Sequence, residues 1–376
     1  MKLLITHPYL NLKGGAERVI LEIAKRYDAK IYTVEYDKQN TFPEFKEFDI
    51  EVLKKKIPFS SLLPYRASQG MRAGYAFYYT KIREDYDLIN AHTSPSEWIR
   101  NKNPRVLWYC HTPIREVYDL YSFRMQNRSV KSKLLYYTFT NSYKILSKGV
   151  INKIEALATN SETTNARIKK YLGRSATVIN PGVDAKDFRN SGDDRYFFYP
   201  SRFYLNKRQE YVIEAFNKFV AKTGLKNYKL VLAGSLSNDK EHLEYFQRLK
   251  KIAPKNVIFK LHTTDAQVRE LYANCTAVLF AAINEDYGIV PIEAMASAKP
   301  LIAVNEGGLR ETVVNGKTGM LIESPDEMAE KMKFVVEHES LAEKMGKDAR
   351  KRAIANYSWE AFFRKFDKMA REVSQA

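Results

Sequence analysis

Short runs of β-forming residues alternate with helical segments along this chain, in two successive series. In the first, KLLIT (2–6) precedes a helix from about Ala16, and KIYTV (30–34), YDLINA (86–91), RVLWYC (105–110) and EALATN (155–160) follow. In the second, YFFYPS (196–201) leads to a helix over 207–222, then YKLVLAG (228–234), a helix over 240–251 and NVIFKL (256–261). A helix over 266–273, TAVLFAA (276–282), a helix from Pro291 and PLIAV (300–304) complete it. Strands that alternate with helices build parallel sheets covered on both faces. The fold class is therefore α/β with two doubly wound domains, and a length of 376 residues fits that count. The turn-rich NPGVD (180–184) is the candidate linker. Residues 36–85 read as a longer irregular stretch rich in aromatic and basic residues. The tail reads as helix, with Ser358 as N-cap and Glu360 in the first turn.

Hydrophobic residues make up 45% of the chain and charged residues 28%, enough to bury real cores. The two cysteines, Cys110 and Cys275, are far apart and flanked by apolar residues, so they are expected to be buried thiols in a reducing compartment. The opening MKLLITHPYLN reads as a first strand and not as a signal peptide, and no run of about 18 apolar residues suggests a membrane span.

The net charge is +17, and most of it lies in the first half. Residues 1–178 hold 30 Lys/Arg against 17 Asp/Glu, a balance of +13, which leaves +4 for 179–376. Arg124–Lys153 contains seven basic residues, among them Arg124, Arg128, Lys131 and Lys133, and no acid. Tyr136, Tyr137, Phe139 and Tyr143 are interleaved there. Such a surface attracts phosphates, in nucleic acid or on a membrane; the plainer alternative is a solvated basic face.

Residues 284–300 read NEDYGIVPIEAMASAKP. In open α/β sheets, ligands bind beyond the carboxyl ends of the strands, and this loop leaves the carboxyl end of TAVLFAA. Pro291 suits the first helical position. Free amides around Gly288, Ile289 and Val290 can then hold an anion, and Gly288 permits close approach. Glu285 hangs from the loop and Glu293 from the first helical turn. A carboxylate is acceptor-only and can bridge two hydroxyls of a diol. The alternative is that Glu293 complements the helix dipole while Glu285 is solvated. Arg202, at the exit of YFFYPS, and Lys207, at the next helix start, are two cations suited to a diphosphate, or simply an ordinary basic loop. Gly14 and Gly15 open a helix after the first strand without the GxGxxG spacing of a dinucleotide fingerprint. His111 follows a strand in WYCHTP, as a functional or a structural histidine.

Together these residues resemble glycosyltransferase family 4, the retaining GT-B glycosyltransferases. The resemblance covers nearly the whole chain. It runs through Gly14–Gly15, HTP at His111–Pro113, NSE at Asn160–Glu162, NPGVD, Ser201–Lys207, Ala233–Ser235, ExxYGIVPIEAMASAKPLIA and GGLRE at Gly307–Glu311. Tyr287 stands where many members carry Phe. The resemblance implies two Rossmann-like domains facing each other across a cleft, with a last helix that crosses back. The domains would be 1–178 plus 358–376 for the acceptor and 179–357 for the donor. It further implies that Glu293 grips the nucleotide ribose and that Glu285 with the amides of Gly288, Ile289 and Val290 holds the donor hexose. Arg202 and Lys207 would bind the diphosphate, Gly14 and Gly15 would let the first loop approach it, and His111 would lie near the donor sugar. Glu285, Arg202, Lys207 and His111 are thus the expected catalytic set. YCHTPIREVYD is similar, more narrowly, to mannosyltransferases of O-antigen and related glycan assembly, and this makes GDP-mannose the expected donor; Glu116–Val117 departs from that pattern.

The expected activity is transfer of a hexose, mannose first, from a nucleotide sugar to a lipid-linked or glycan acceptor with retention. UDP-glucose, UDP-GlcNAc or UDP-galactose are the alternative donors. No metal is expected, because Arg202 and Lys207 can neutralise the leaving group; Asp85–Tyr86–Asp87 reads as polarity at a strand entry. The basic first half would dock a cytoplasmic, peripheral protein on the anionic cytoplasmic face of a membrane. The other readings are a basic nucleic-acid-binding protein, for which no motif is present, and a sugar-nucleotide epimerase or hydrolase of the same fold.

Overall fold

The computed structural model describes residues 1–54, 57, 65–126 and 128–375, with backbone alone at 65–67 and 123. Two compact units emerge: 1–180 together with 363–376, and 181–362. The first holds a seven-stranded sheet whose strands run β1 (Leu3–Thr6), β3 (Lys30–Thr33), β5 (Ile50–Val52), β6 (Leu88–His92), β7 (Val106–Cys110), β8 (Ala156–Thr159) and β9 (Thr177–Val178). Their spatial order is β5-β3-β1-β6-β7-β8-β9, and every pairing is parallel. A small parallel pair, β2 (Tyr9–Leu10) and β4 (Glu35–Tyr36), lies beside it. The chain walks outward through β3 and β5, then returns to the other side of β1. That reversal makes β1 and β6 the switch point, and all strands end at one edge.

The helices of this unit are α1 (Gly15–Tyr27), α2 (Tyr65–Tyr79), α3 (Tyr121–Gln126), α4 (Val130–Ile151) and α5 (Glu162–Leu172). Strands β1, β6 and β7 are buried along their whole length, as apolar runs in a sheet covered on both faces must be. The expectation of an irregular 36–85 is corrected: Ile50–Val52 is a strand and Tyr65–Tyr79 a helix. The aromatic spacing of that helix, with Gly70 and Gly74 inside it, hid its periodicity. Residues 55–56 and 58–64 of that stretch, and Asn127 of the basic segment, lie outside the described residues. Asp87, of the acidic triplet, accepts from the Lys2 backbone N–H at 2.6 Å, a strand-entry contact.

A 3-10 turn, Ser96–Asn101, follows β6 and buries Glu97 completely. Among the described residues, neither carboxyl oxygen has a hydrogen-bond partner. Burial pushes the group from 4.5 up to about 7; nearby Ser94 opposes the shift without a well-aligned bond.

The second unit has a six-stranded parallel sheet of β10 (Tyr196–Pro200), β11 (Lys229–Gly234), β12 (Val257–Leu261), β13 (Ala277–Phe280), β14 (Leu301–Val304) and β15 (Met320–Ile322). The order β12-β11-β10-β13-β14-β15 places its switch point between β10 and β13. Helices α6 (Gln209–Thr223), α7 (Lys240–Ile252), α8 (Asp265–Asn274), α9 (Ile289–Ala296), α10 (Leu309–Thr312), α11 (Pro325–Glu337) and α12 (Glu339–Asn356) accompany it. Its core is aromatic: Phe197 packs edge-on against Phe219 at 5.2 Å, and Phe198 against Tyr272 at 5.0 Å.

The last helix, α13 (Trp359–Ser374), is capped by Ser358, whose Oγ accepts from the Ala361 N–H at 3.2 Å. Its residues from 363 belong to the first unit, where Asp367 accepts from Arg26 at 2.9 Å and from Tyr27 at 2.6 Å. Within the second unit, the Val183 N–H donates to Tyr357 O at 2.9 Å. Gly182 lies so near the Ser358–Trp359 peptide that a Cβ there would stand 2.4 Å from Trp359 N.

Candidate functional site

In the second unit, the loops leaving β10 and β13 interlock at the switch point. The chain after β10 makes a 3-10 turn, Leu205–Lys207, which is held because the Tyr199 hydroxyl donates to Lys207 O. Lys207 sits in this turn and not at the start of α6. Arg208, with φ of 48°, separates the two. The Lys207 Nζ donates to Glu285 Oε2 at 2.6 Å, and both side chains are largely shielded from solvent. Two of the expected site residues, 78 positions apart, therefore form one ion pair. Ile283 N–H donates to Asn206 O at 2.9 Å, so the backbones of the two loops are tied as well. Arg202 is exposed, lies 4.8 Å over the Tyr204 ring and makes no ion pair among the described residues.

The Glu285 loop has a second support that the sequence reading missed. Arg208 donates to Ala281 O at 2.6 Å and to Glu306 at 2.7 Å, and Glu306 accepts from the Asn284 N–H at 3.0 Å. Gly307, with φ of 55°, packs under the loop; a Cβ there would stand 2.3 Å from Glu285 O. The Gly308 N–H donates to that same oxygen at 2.9 Å. The GGLRE motif is thus the seat of the loop.

Helix α9 starts at Ile289, not at Pro291, after Gly288 with φ of 78°. Proline is tolerated at this third helical position because the first-turn amides have no helical carbonyl to bond. The amides of Ile289 and Val290 keep that character. Glu293 follows one turn later and accepts from the buried Tyr272 hydroxyl at 2.7 Å. Burial, then the Glu293 charge, raise Tyr272 well above the ordinary phenol range, so it remains a donor. The Tyr287 hydroxyl donates to Pro181 O at 2.6 Å.

In the first unit, Gly14 is the N-cap of α1 and Gly15 its first residue. A Cβ on Gly14 would collide with Glu17 Oε2 at 2.4 Å, whereas among the described residues nothing lies within 4 Å of one on Gly15. His111 follows β7 and is half-buried. Its Nε2 lies 3.0 Å from Nδ1 of His92, whose Nε2 lies 2.6 Å from Asn90 Oδ1. His7, at the end of β1, sits 3.2 Å from Glu17 Oε1 and 3.3 Å from His92 O. Burial, then the neighbouring His7 charge, push His111 down to about 3.

Residues 13–187 match the family described as Glycosyltransferase Family 4, and residues 183–352 match Glycosyl transferases group 1. The chain is a glycosyltransferase carrying these two domains. The glycosyltransferase is 24% identical to the alpha-1,3/1,6-mannosyltransferase ALG2 of Dictyostelium discoideum, over 99% of its own length and 98% of that protein's. Against the human ALG2 the identity is 26%, over 96% and 93% of the two chains. Its GT-B fold is that of Anabaena HepE in complex with UDP-glucose, with a TM-score of 0.75 at 19% identity, covering 99% of this chain and 100% of that one.

The basic segment of the glycosyltransferase is more apolar than its sequence suggested. Arg128 lies 4.2 Å over the Tyr136 ring, Arg124 pairs with Glu116 at 4.0 Å, and Tyr143 stacks on Trp98 at 5.5 Å. Helix α4 buries Thr140, Ser147, Val150 and Ile151. Its opposite face carries Val130 (83% exposed), Leu134 (68%) and Ile145 (74%), with Leu135 and Leu146 beside them and Lys131 exposed. Among the described residues, no helix is long and apolar enough to cross a membrane.

Proposed function

We propose that this glycosyltransferase moves mannose from GDP-mannose to a lipid-linked glycan, with retention and without a metal. The observation that carries the mannosyl reading is its near full-length similarity to ALG2 mannosyltransferases. The donor reading is supported by the interlocked loops at the β10/β13 switch point, where Lys207 and Glu285 are already paired. In it, Glu293 takes the ribose diol with Tyr272 holding its second oxygen, and Glu285 with the Gly288–Ile289–Val290 amides takes the sugar. Arg202 and Lys207 neutralise the diphosphate as its bond to the sugar breaks. The departing phosphate then accepts the proton of the attacking hydroxyl on the same face.

A thermal-shift panel of GDP-mannose, UDP-glucose, UDP-GlcNAc and UDP-galactose tests the donor. At ten times its Kd a ligand specific for the folded state adds about 1.4 kcal/mol. GDP-mannose should give the largest shift, and Glu293→Ala should erase it. A larger shift with a UDP sugar would overturn the GDP-mannose assignment, and a shift preserved in the variant would overturn the role of Glu293.

The lipid-linked acceptor is supported by the outer face of α4. Exposed aliphatic side chains flanked by lysines suit an interface whose headgroups are anionic and whose depth is apolar. A peripheral protein on an anionic, cytoplasmic membrane face follows from that reading. Leu134→Glu with Ile145→Glu should abolish co-sedimentation with phosphatidylserine vesicles while leaving transfer to a water-soluble glycan intact. Equal vesicle binding by variant and wild type would put the membrane contact elsewhere.

A further inference from the structure

A small cavity of about 260 Å³ lies in the first unit, lined by Tyr9, Val34, Glu35, Gln69 and Arg72. Tyr9 and Glu35 follow the carboxyl ends of β1 and β3, the edge at which open α/β sheets bind ligands. The two are register partners in the β2/β4 pair, so their side chains leave one face of it. The backbone there is tied down: the Val34 N–H donates to Pro8 O at 3.1 Å and the Asp37 N–H to Leu10 O at 2.8 Å. Gln69 and Arg72 come from α2, three positions apart and therefore on one helical face. Glu35 is the group that packing alone does not explain. It is half-buried, its Oε1 accepts from the Asn11 amide at 3.0 Å, and its Oε2 accepts from the Gln69 amide at 3.0 Å. A carboxylate can only accept, so both amides turn their nitrogens to it and hold it in one orientation. These two donors are neutral, so they leave the charge uncompensated, and each oxygen keeps a second lone pair. A cation is at hand, for the exposed Arg72 faces the same cavity. Yet among the described residues neither Glu35 nor Arg72 makes an ion pair.

We infer that this cavity is a subsite for one neutral sugar ring of the acceptor, read by Glu35 and Arg72, a role that rests on the glycan acceptor of the proposed function. A fixed acceptor and an unpaired donor share one small space without touching. A sugar hydroxyl is donor and acceptor at once, so it can give its proton to Glu35 and accept from Arg72. The C–H face of the ring can then lie on Tyr9 and Val34. Other ligand classes fit less well. A phosphate would meet the fixed Glu35 charge, and an aliphatic chain would desolvate both charges with nothing in return. The volume, just under the roughly 300 Å³ at which drug-sized sites begin, holds one ring and not a chain of them.

Saturation-transfer NMR of the full chain with methyl α-mannoside, methyl α-glucoside and methyl β-N-acetylglucosaminide reads the subsite without any donor. Wild type should transfer saturation to at least one of the three. Arg72→Ala removes an exposed side chain and spares the core, and Glu35→Gln keeps the shape; each should weaken that binding about tenfold, the size of one hydrogen bond to a charged group. In transfer from GDP-mannose to a soluble glycan, Arg72→Ala should raise the acceptor KM about tenfold and leave kcat and the donor KM as they are. A wild type that transfers saturation to none of the glycosides overturns the inference, and this result needs no variant to fold. So do variants that bind the glycosides as wild type does. Glycoside binding that both variants lose, in a chain that transfers sugar from none of the four nucleotide donors, supports the subsite and overturns the proposed function.

Discussion

Lys207→Ala should lower kcat/KM by roughly 10²–10³-fold, the usual consequence of deleting one preorganised charge stabiliser at a reacting centre. The ammonium is held 2.6 Å from Glu285 in a part-buried setting, on a turn fastened by Tyr199. Under the proposed function, charge that grows on a leaving diphosphate would meet a cation that needs no reorganisation. In the alanine variant, Glu285 is left without that cation and repels the same developing charge. The loss should therefore fall mainly on kcat, with a smaller change in affinity for the intact donor. Lys207→Arg should recover only part of it, because a planar fork cannot occupy the same point as an ammonium. Steady-state kinetics with both variants decide the matter. Alanine activity within about fivefold of wild type would assign the charge stabilisation to other groups.

Glu97→Gln should stabilise the protein at pH 8 and have a much smaller effect at pH 5. In the unfolded chain this carboxyl titrates near its ordinary 4.5; in the folded protein it titrates near 7. Between these values the native state binds the proton that the unfolded state has released, so stability falls as pH rises through that window. Below 4.5 both states are neutral and nothing is lost. Above 7 the deficit is complete, roughly 3 kcal/mol for a shift of this size. Glutamine removes the titration and keeps the shape, so the variant's advantage should grow from about 0.8 kcal/mol at pH 5 to roughly 3 kcal/mol at pH 8. Denaturant unfolding at pH 5, 6.5 and 8 measures it. A difference between the two proteins that does not change with pH would show that Glu97 does not titrate in this window.

Much of this arrangement was legible before any coordinates, and the reasons differ from residue to residue. Strands such as LLIT, LINAH and VLWYC are apolar runs of the length a covered parallel strand needs, so their positions followed from composition alone. Gly288 and Pro291 marked a helix start because few backbones accept both; the start fell two residues early because proline is harmless anywhere in the first turn. The Lys207–Glu285 contact could not be read, since it depends on which strands are neighbours, and β10 pairs with β13 across 80 residues of chain. The support from Arg208 and Glu306 was hidden for the same reason. His7, His92 and Asn90 were passed over because each looks like an ordinary strand-end polar residue. Only the parallel register brings them to one edge. The apolar face of α4 was masked by its lysines, which draw the eye to charge, while Val130, Leu134 and Ile145 sit at helical spacing on the outward side.

The pairing of Val183 with Tyr357, and the seat of Gly182 against the Ser358–Trp359 peptide, give the second unit a single doorway. The chain enters and leaves this unit at one spot, and Arg202, Lys207, Glu285 and Glu293 all lie between those two passages. A segment with joined ends can be lifted out of one gene and set into another without rerouting the host. Under the proposed function, the donor-binding residues of this unit would travel together as one insert.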